Sequence, residues 1–322
     1  MNIKKQIDNF LFHCQYEKNL SAKTLKAYSI DLTQFYTFIV KNISNESLKK
    51  ETIDQIDKFD LKKFIENLYA QKHKTRTIKR KFAVLKSFFS QLEFEDIISV
   101  NPVRKIKINL REEKRLPKTI SFSEIKAIFK TLYKLKESAS DKNRYSYFEH
   151  LRNIAVIELL FATGIRVAEL CNLKLSNIDL KQGFIKIIGK GDKERIIHFC
   201  EEETTDALKN YYDVFKQKIH DKDYFFINKF NNRLSEQSVR FMINKFAKKL
   251  KIKRKITPHM FRHTVATMLH EADVDIRYIQ NILGHSSIMT TQIYTHVNQK
   301  KQRKIMSSKH PRKKFQFSNP GK

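Results

Sequence analysis

Four short segments, far apart in the chain, carry side chains suited to the chemistry of a phosphodiester. The first is Ala162-Thr163-Gly164-Ile165-Arg166-Val167-Ala168-Glu169-Leu170. Arg166 follows a helix-ending glycine, and its guanidinium is a rigid donor fork that matches two phosphate oxygens, as a lysine ammonium does not. Glu169, three residues on, shares a helical face with Arg166 and is placed to orient it; the plain alternative is a surface salt bridge. The second segment is Gly189-Lys190-Gly191-Asp192-Lys193, with Lys190 between two glycines. The G-x-x-x-x-G-K-[ST] spacing and following helix of a nucleotide-binding loop are missing, so ATP is disfavoured, and Lys190 by itself reads as a solvated turn residue. The third, Thr257-Pro258-His259-Met260-Phe261-Arg262-His263-Thr264, begins a helix with Thr257 as cap and Pro258 in the first position. His259 and Arg262 share a face there, and the positive helix end adds to Arg262 in attracting phosphate. His259 and His263 at i, i+4 also suggest zinc, but Met260 stands where H-E-x-x-H needs Glu and no third ligand follows, so His263 is read as structural or supporting. The fourth runs from Leu283-Gly284-His285 to Gln292-Ile293-Tyr294-Thr295-His296. One tyrosine among 12 is no signal alone, but beside the other three segments Tyr294 supplies a nucleophile.

Elements of two kinds must position these groups. Apolar residues recur at helical spacing in Ile3, Ile7, Phe10, Leu11 and Cys14, and again, after Ser21, in Leu25, Tyr28, Leu32, Phe35 and Ile39. A third helix fits Leu61, Phe64, Ile65 and Leu68 behind a capping Asp60, and a fourth fits Ile78, Phe82, Leu85, Phe89 and Leu92. Residues 1–100 are thus expected to be all-helical, with cations such as Lys79, Arg80 and Lys86 gathered around the fourth helix as a candidate DNA face. Asn101-Pro102 ends that helix, and 101–116, with Arg104 and Lys105, reads as a basic linker. Residues 117–310 form a second domain, mostly helical, with a polar loop or insertion at 136–147 and a β-hairpin of residues 184–188 and 195–199 around Lys190. Residues 311–322 read as a basic tail. The expected class is mainly α with a small β-sheet.

Composition narrows the partners. Lys and Arg number 64 against 34 Asp and Glu, a formal charge of +30, which points to a polyanion; an AT-rich coding sequence is the bland alternative. No run approaches the roughly 18 apolar residues of a membrane span, and no signal peptide opens the chain, so a cytoplasmic protein is expected. Cys14, Cys171 and Cys200 lie in no metal-ligand spacing and read as reduced, mostly buried thiols.

Taken together, the four segments, in order and spacing, resemble the boxes of the tyrosine recombinases of the phage integrase family, most closely the bacterial Xer recombinases. Leu20-Ser21-Ala22-Lys23-Thr24-Leu25 resembles their core-binding domain, and His310-Pro311-Arg312 resembles the Xer tail, so the likeness spans nearly the whole chain. It implies an all-helical core-binding domain followed by a mixed α/β catalytic domain. It implies that Tyr294 attacks the scissile phosphorus to give a 3′-phosphotyrosine, that Arg166 and Arg262 hold the non-bridging oxygens, that Lys190 protonates the leaving 5′-oxygen, that His259 handles the tyrosine proton and that His285 donates to the phosphate. It further implies no cofactor or metal, double-stranded DNA with an inverted-repeat core site as substrate, a homo-tetramer or a hetero-tetramer with a second recombinase, and a DNA translocase as a further partner. Chromosome dimer resolution and mobile-element integration are the roles it suggests. A type IB topoisomerase-like relaxing enzyme is the alternative with the same chemistry.

Overall fold

A computed structural model of the chain describes residues 2–43, 52–106, 118–138, 145–189, 194–284 and 299–314. The chain divides into two compact units, Met1–Arg115 and Leu116–Lys322.

The first unit is a four-helix assembly of α1 (Ile3–Tyr16), α2 (Ala22–Ile43), α3 (Lys58–Ala70) and α4 (Thr75–Phe94). Each turns one apolar stripe inward, and Phe10, Leu32, Phe35, Phe64, Leu85, Phe88 and Phe89 form its core. Phe35 packs edge-on against both Phe64 and Phe89, the arrangement that aromatic quadrupoles favour. The start of α3 differs from the expected one. Asp57, not Asp60, is the cap, accepting from the Phe59 and Asp60 N–H groups at 2.7 and 3.1 Å. Asp60 sits in the first turn and accepts from the Asp57 N–H at 2.9 Å, so the two carboxylates close a reciprocal capping box.

The second unit is built around α6 (Tyr145–Thr163), which is buried along its middle from Ile154 to Ala162 and packs against α5 (Phe122–Glu137), α8 (Glu202–His220) and α10 (Pro258–Glu271). Among the described residues, the remaining α-helices are α7 (Val167–Cys171), α9 (Glu236–Lys249), α11 (Ile276–Leu283) and α12 (Gln299–Lys309). The hairpin strands, β2 (Phe184–Ile188) and β3 (Glu194–His198), pair antiparallel with Ile185 opposite Ile197, and a two-residue strand, β1 (Ile178–Asp179), adds to the outer edge of β2. That third strand was not expected, because two residues are too few to show an alternating pattern. The polar stretch at 136–147 is shorter than its composition suggests: Glu137 ends α5 and Tyr145 begins α6, and residues 139–144 lie outside the described residues. Residues 224–234 are irregular and held by bridges such as Ile227 to Arg233.

Cys14 and Cys171 are buried, but Cys200 is exposed. Arg312, read from the sequence as part of a basic tail, is fully buried inside this unit, where Pro311–Lys314 makes a 3-10 turn. Among the described residues, no helix is long and apolar enough to cross a membrane.

Candidate active site

The site forms where three chain reversals meet. Gly164 takes φ 61°, the left-handed conformation that ends α6, and a Cβ there would stand 2.8 Å from a methyl of Leu283 at the end of α11. Arg166 follows at the cap of α7. Glu169, in the first turn of α7, accepts from the Arg166 N–H at 2.8 Å and from Arg166 Nη1 at 2.9 Å, so it fixes both the main chain and the fork of that arginine.

The second reversal is the end of α11. Gly284 takes φ 65° and closes the helix. The last carbonyls of a helix have no partner within it and lie at its negative end. Here they are taken by arginines in succession: Arg195 Nε donates to the Ile282 carbonyl at 3.3 Å, Arg262 Nη2 to that of Leu283, and Arg166 Nη2 to that of Gly284 at 2.8 Å. Arg262 Nη1 also donates to the Gly164 carbonyl at 3.0 Å, which joins the ends of α6 and α11 through one guanidinium.

The third is the start of α10. Pro258 occupies the first helical position as expected, but the Thr257 side chain makes no capping hydrogen bond. His259 and His263 are both exposed on α10, while Arg262 on the same helix is only 5% exposed.

Among the described residues the site is short of negative charge. Three guanidinium groups surround the single carboxylate of Glu169. Burial opposes the charge on Glu169, yet hydrogen bonds and attraction from Arg195 and Arg166 prevail and hold its carboxyl below the usual range. Burial and then repulsion from Arg166 bring Arg262 down to about 10, still charged at neutral pH. Partial desolvation, followed by the charges of His263, Arg262, Arg240 and Arg166, lowers His259 as well, which favours its neutral, proton-accepting form. A bound phosphodiester would relieve the excess charge, and the planar donors needed to grip it are already anchored from behind.

Arg166, Glu169 and Arg262 are thus brought together, with His259 on the helix of Arg262. Lys190, His285 and Tyr294 lie outside the described residues. In the first unit, Lys79 is half-buried, Arg80 bonds Asp31 (Nη2 to Oδ1 2.9 Å), Lys86 and Lys105 are exposed, and Arg104 pairs with Glu93 at 2.9 Å. Among the described residues no cluster of His, Cys, Asp or Glu could hold a metal ion. Arg195 is the member that sequence reasoning missed. Its signal was available, because Arg195, Ile197 and Phe199 share one face of the strand and a cation on an apolar face needs a partner.

Comparisons with known proteins bear on the family and the fold. The family model described as phage integrase family matches residues 118–301, and that of the phage integrase N-terminal SAM-like domain matches residues 7–95. A tyrosine recombinase of Agathobacter rectalis is 47% identical over 316 residues, covering 98% of this chain and 99% of its own. Tyrosine recombinase XerC of Thermodesulfovibrio yellowstonii is 37% identical over 317 residues, covering 96% and 97%. Among solved structures, a XerH site-specific recombinase bound to its difH substrate shares the fold with a TM-score of 0.68 at 23% identity, over 92% of this chain and 83% of that one. By both its family models and its nearly full-length relatives, this chain belongs to the tyrosine recombinases of the phage integrase family, enzymes of site-specific DNA recombination.

Proposed function

We propose that this chain is a Xer-like recombinase that cuts and rejoins double-stranded DNA at an inverted-repeat core site through a 3′-phosphotyrosine on Tyr294. The observation that supports it most is the pair Arg166 and Arg262, held on the carbonyls that end α6 and α11 and matched by one carboxylate. In this reading the Tyr294 oxygen attacks the scissile phosphorus as His259, uncharged, takes its proton. The bond to the 5′-oxygen breaks, Lys190 gives that oxygen a proton, and a free 5′-hydroxyl leaves. Arg166, Arg262 and His285 bear the charge that gathers on the non-bridging oxygens. The phosphotyrosine keeps the energy of the broken bond, so the 5′-hydroxyl of another strand reverses the step without ATP or metal.

The relatives named XerC favour a chromosome-dimer role over a mobile-element one, and the neighbour bound to DNA favours duplex DNA as partner. Lys79, Lys86 and Lys105 would contact the duplex from the first unit, while Arg80 and Arg104 already carry carboxylate partners that a phosphate would have to share. In this reading four protomers, alike or of two kinds, join two duplexes, and a DNA translocase is a further candidate partner.

A nicked duplex, from which the cut 5′ fragment diffuses away, tests the chemistry. The wild-type chain is expected to form an adduct that survives denaturing electrophoresis, mapped by peptide analysis to Tyr294, and on intact sites to yield recombinant junctions. An adduct at another residue overturns the assignment; relaxation of supercoils without junctions selects the topoisomerase-like alternative. Arg262→Lys keeps the charge but loses the planar fork that spans the Gly164 and Leu283 carbonyls. Single-turnover cleavage is expected to slow by about 10²- to 10³-fold. A rate near wild type would remove Arg262 as a bidentate phosphate ligand.

A further inference from the structure

The arginines at the end of α11 do not stand in equivalent places. The Arg166 side chain is 38% exposed and continuous with solvent, whereas Arg195 is 11% exposed and packed behind it. Arg195 Nη2 donates to Glu169 Oε2 at 2.7 Å, the oxygen that also accepts from the Arg166 main chain, while Glu169 Oε1 holds the Arg166 fork. Its Nε reaches the Ile282 carbonyl, the first of the three that bind the arginines. Its guanidinium lies so close beneath Gly284 that a Cβ on that residue would come within 2.8 Å.

Removal of Arg195 has two local consequences. Among the described residues Glu169 would be left with Arg166 as its one hydrogen-bonded arginine, and a carboxylate so placed competes with an incoming phosphate for that fork. The Ile282 carbonyl would lose its donor, and with it the turn that presents the Leu283 and Gly284 carbonyls to Arg262 and Arg166 would lose its brace.

We propose that Arg195 is a positioning residue: by holding Glu169 and the Ile282 carbonyl, it sets where Arg166 and Arg262 present their guanidinium groups to the scissile phosphate. The proposal rests on the reading of those two arginines as phosphate ligands. Arg195 itself touches no reacting atom.

The test compares cleavage by the full chain of a normal scissile phosphodiester and of a methylphosphonate, in which one charged non-bridging oxygen is replaced by a neutral methyl. Arg195→Gln is expected to slow single-turnover cleavage of the normal site by about 10²-fold at saturating DNA, the scale of a small misplacement of the reacting groups. On the methylphosphonate, where less charge has to be met, that defect is expected to shrink, and so is the defect of Arg166→Lys. The double variant is expected to be little slower than the worse single one, because both act through the same contact. A variant that is only partly folded loses the same factor on every substrate, so equal losses on the two substrates overturn the proposal. Arg195→Lys, which keeps a charge beside Glu169, supplies the same ratio if the Gln variant is too slow to measure. Rescue of Arg195→Gln by sulfur at the bridging 5′ position also overturns it, since that would place Arg195 behind the leaving-group proton. If Arg166→Lys itself loses equally on both substrates, the phosphate-ligand reading has failed and the proposal falls with it.

Discussion

Tyr294→Phe is expected to bind its DNA site with wild-type affinity and to form no covalent adduct with a nicked duplex. The substitution removes one oxygen and leaves the aromatic ring, so the apolar contribution of the side chain is retained while the nucleophile is gone. Displacement at phosphorus needs the entering oxygen opposite the leaving one, so a hydroxyl elsewhere is not expected to take its place. The charge that attracts DNA is untouched, and affinity comes mostly from phosphate contacts. Gel-shift and denaturing electrophoresis on the same samples separate the two quantities. An adduct in the variant that withstands denaturation would sink the assignment of Tyr294, and a large loss of binding would mean that the hydroxyl serves in recognition instead.

The second large effect is on stability. Glu158 and Arg312 are both fully buried and form a two-point pair, with Arg312 Nη2 and Nε donating to the two carboxylate oxygens at 2.7 and 2.9 Å. Tyr133 OH and Thr204 Oγ1 add donors at 2.7 and 3.0 Å, and the guanidinium lies 5.0 Å from the Phe129 ring centre. Arg312→Met is close in volume but leaves the Glu158 carboxylate without a counter-charge in the middle of the core. It is expected to cost about 3 to 5 kcal/mol, the usual penalty for breaking one side of a buried pair. Arg312→Met with Glu158→Leu is expected to recover much of that loss, since no charge then stays buried. Denaturant unfolding of the full chain measures both. A double variant as unstable as the single one would show that the loss came from packing around Phe129 and not from the stranded carboxylate.

Local sequence was sufficient wherever a residue's role depends on its neighbours along the chain. Helical spacing in Ile7, Phe10 and Cys14 reports burial on one face, and Gly164 and Gly284 mark helix ends because only their backbone takes φ near +60° without strain. The hairpin was legible from its β-rich runs, and of the site residues the sequence offered, Arg166, Glu169, His259 and Arg262 are described, while Lys190, His285 and Tyr294 lie outside the described residues. Where two local readings compete, spacing does not choose: Asp57 and Asp60 are both able to cap α3, and the reciprocal pair forms because each satisfies the other's N–H.

What only the tertiary structure decided concerns charges whose partners are remote. Arg312 stands among Lys313, Lys314 and other polar residues and reads as part of a basic tail, yet its carboxylate lies 154 residues away on α6. The complementary sign was Glu158 within the apolar run 154–162, a buried carboxylate that must be paired somewhere. Arg195 is the same case at the site. Its type and strand position were plain, but not that the end of α11 offers three successive carbonyls, nor that Glu169 has an oxygen to share between two arginines. Sequence determines which groups are present and which face of their own element they occupy. Which charge neutralises which is settled by the packing of helix ends from distant parts of the chain, because a buried ion is stable only where folding brings its partner within hydrogen-bond reach.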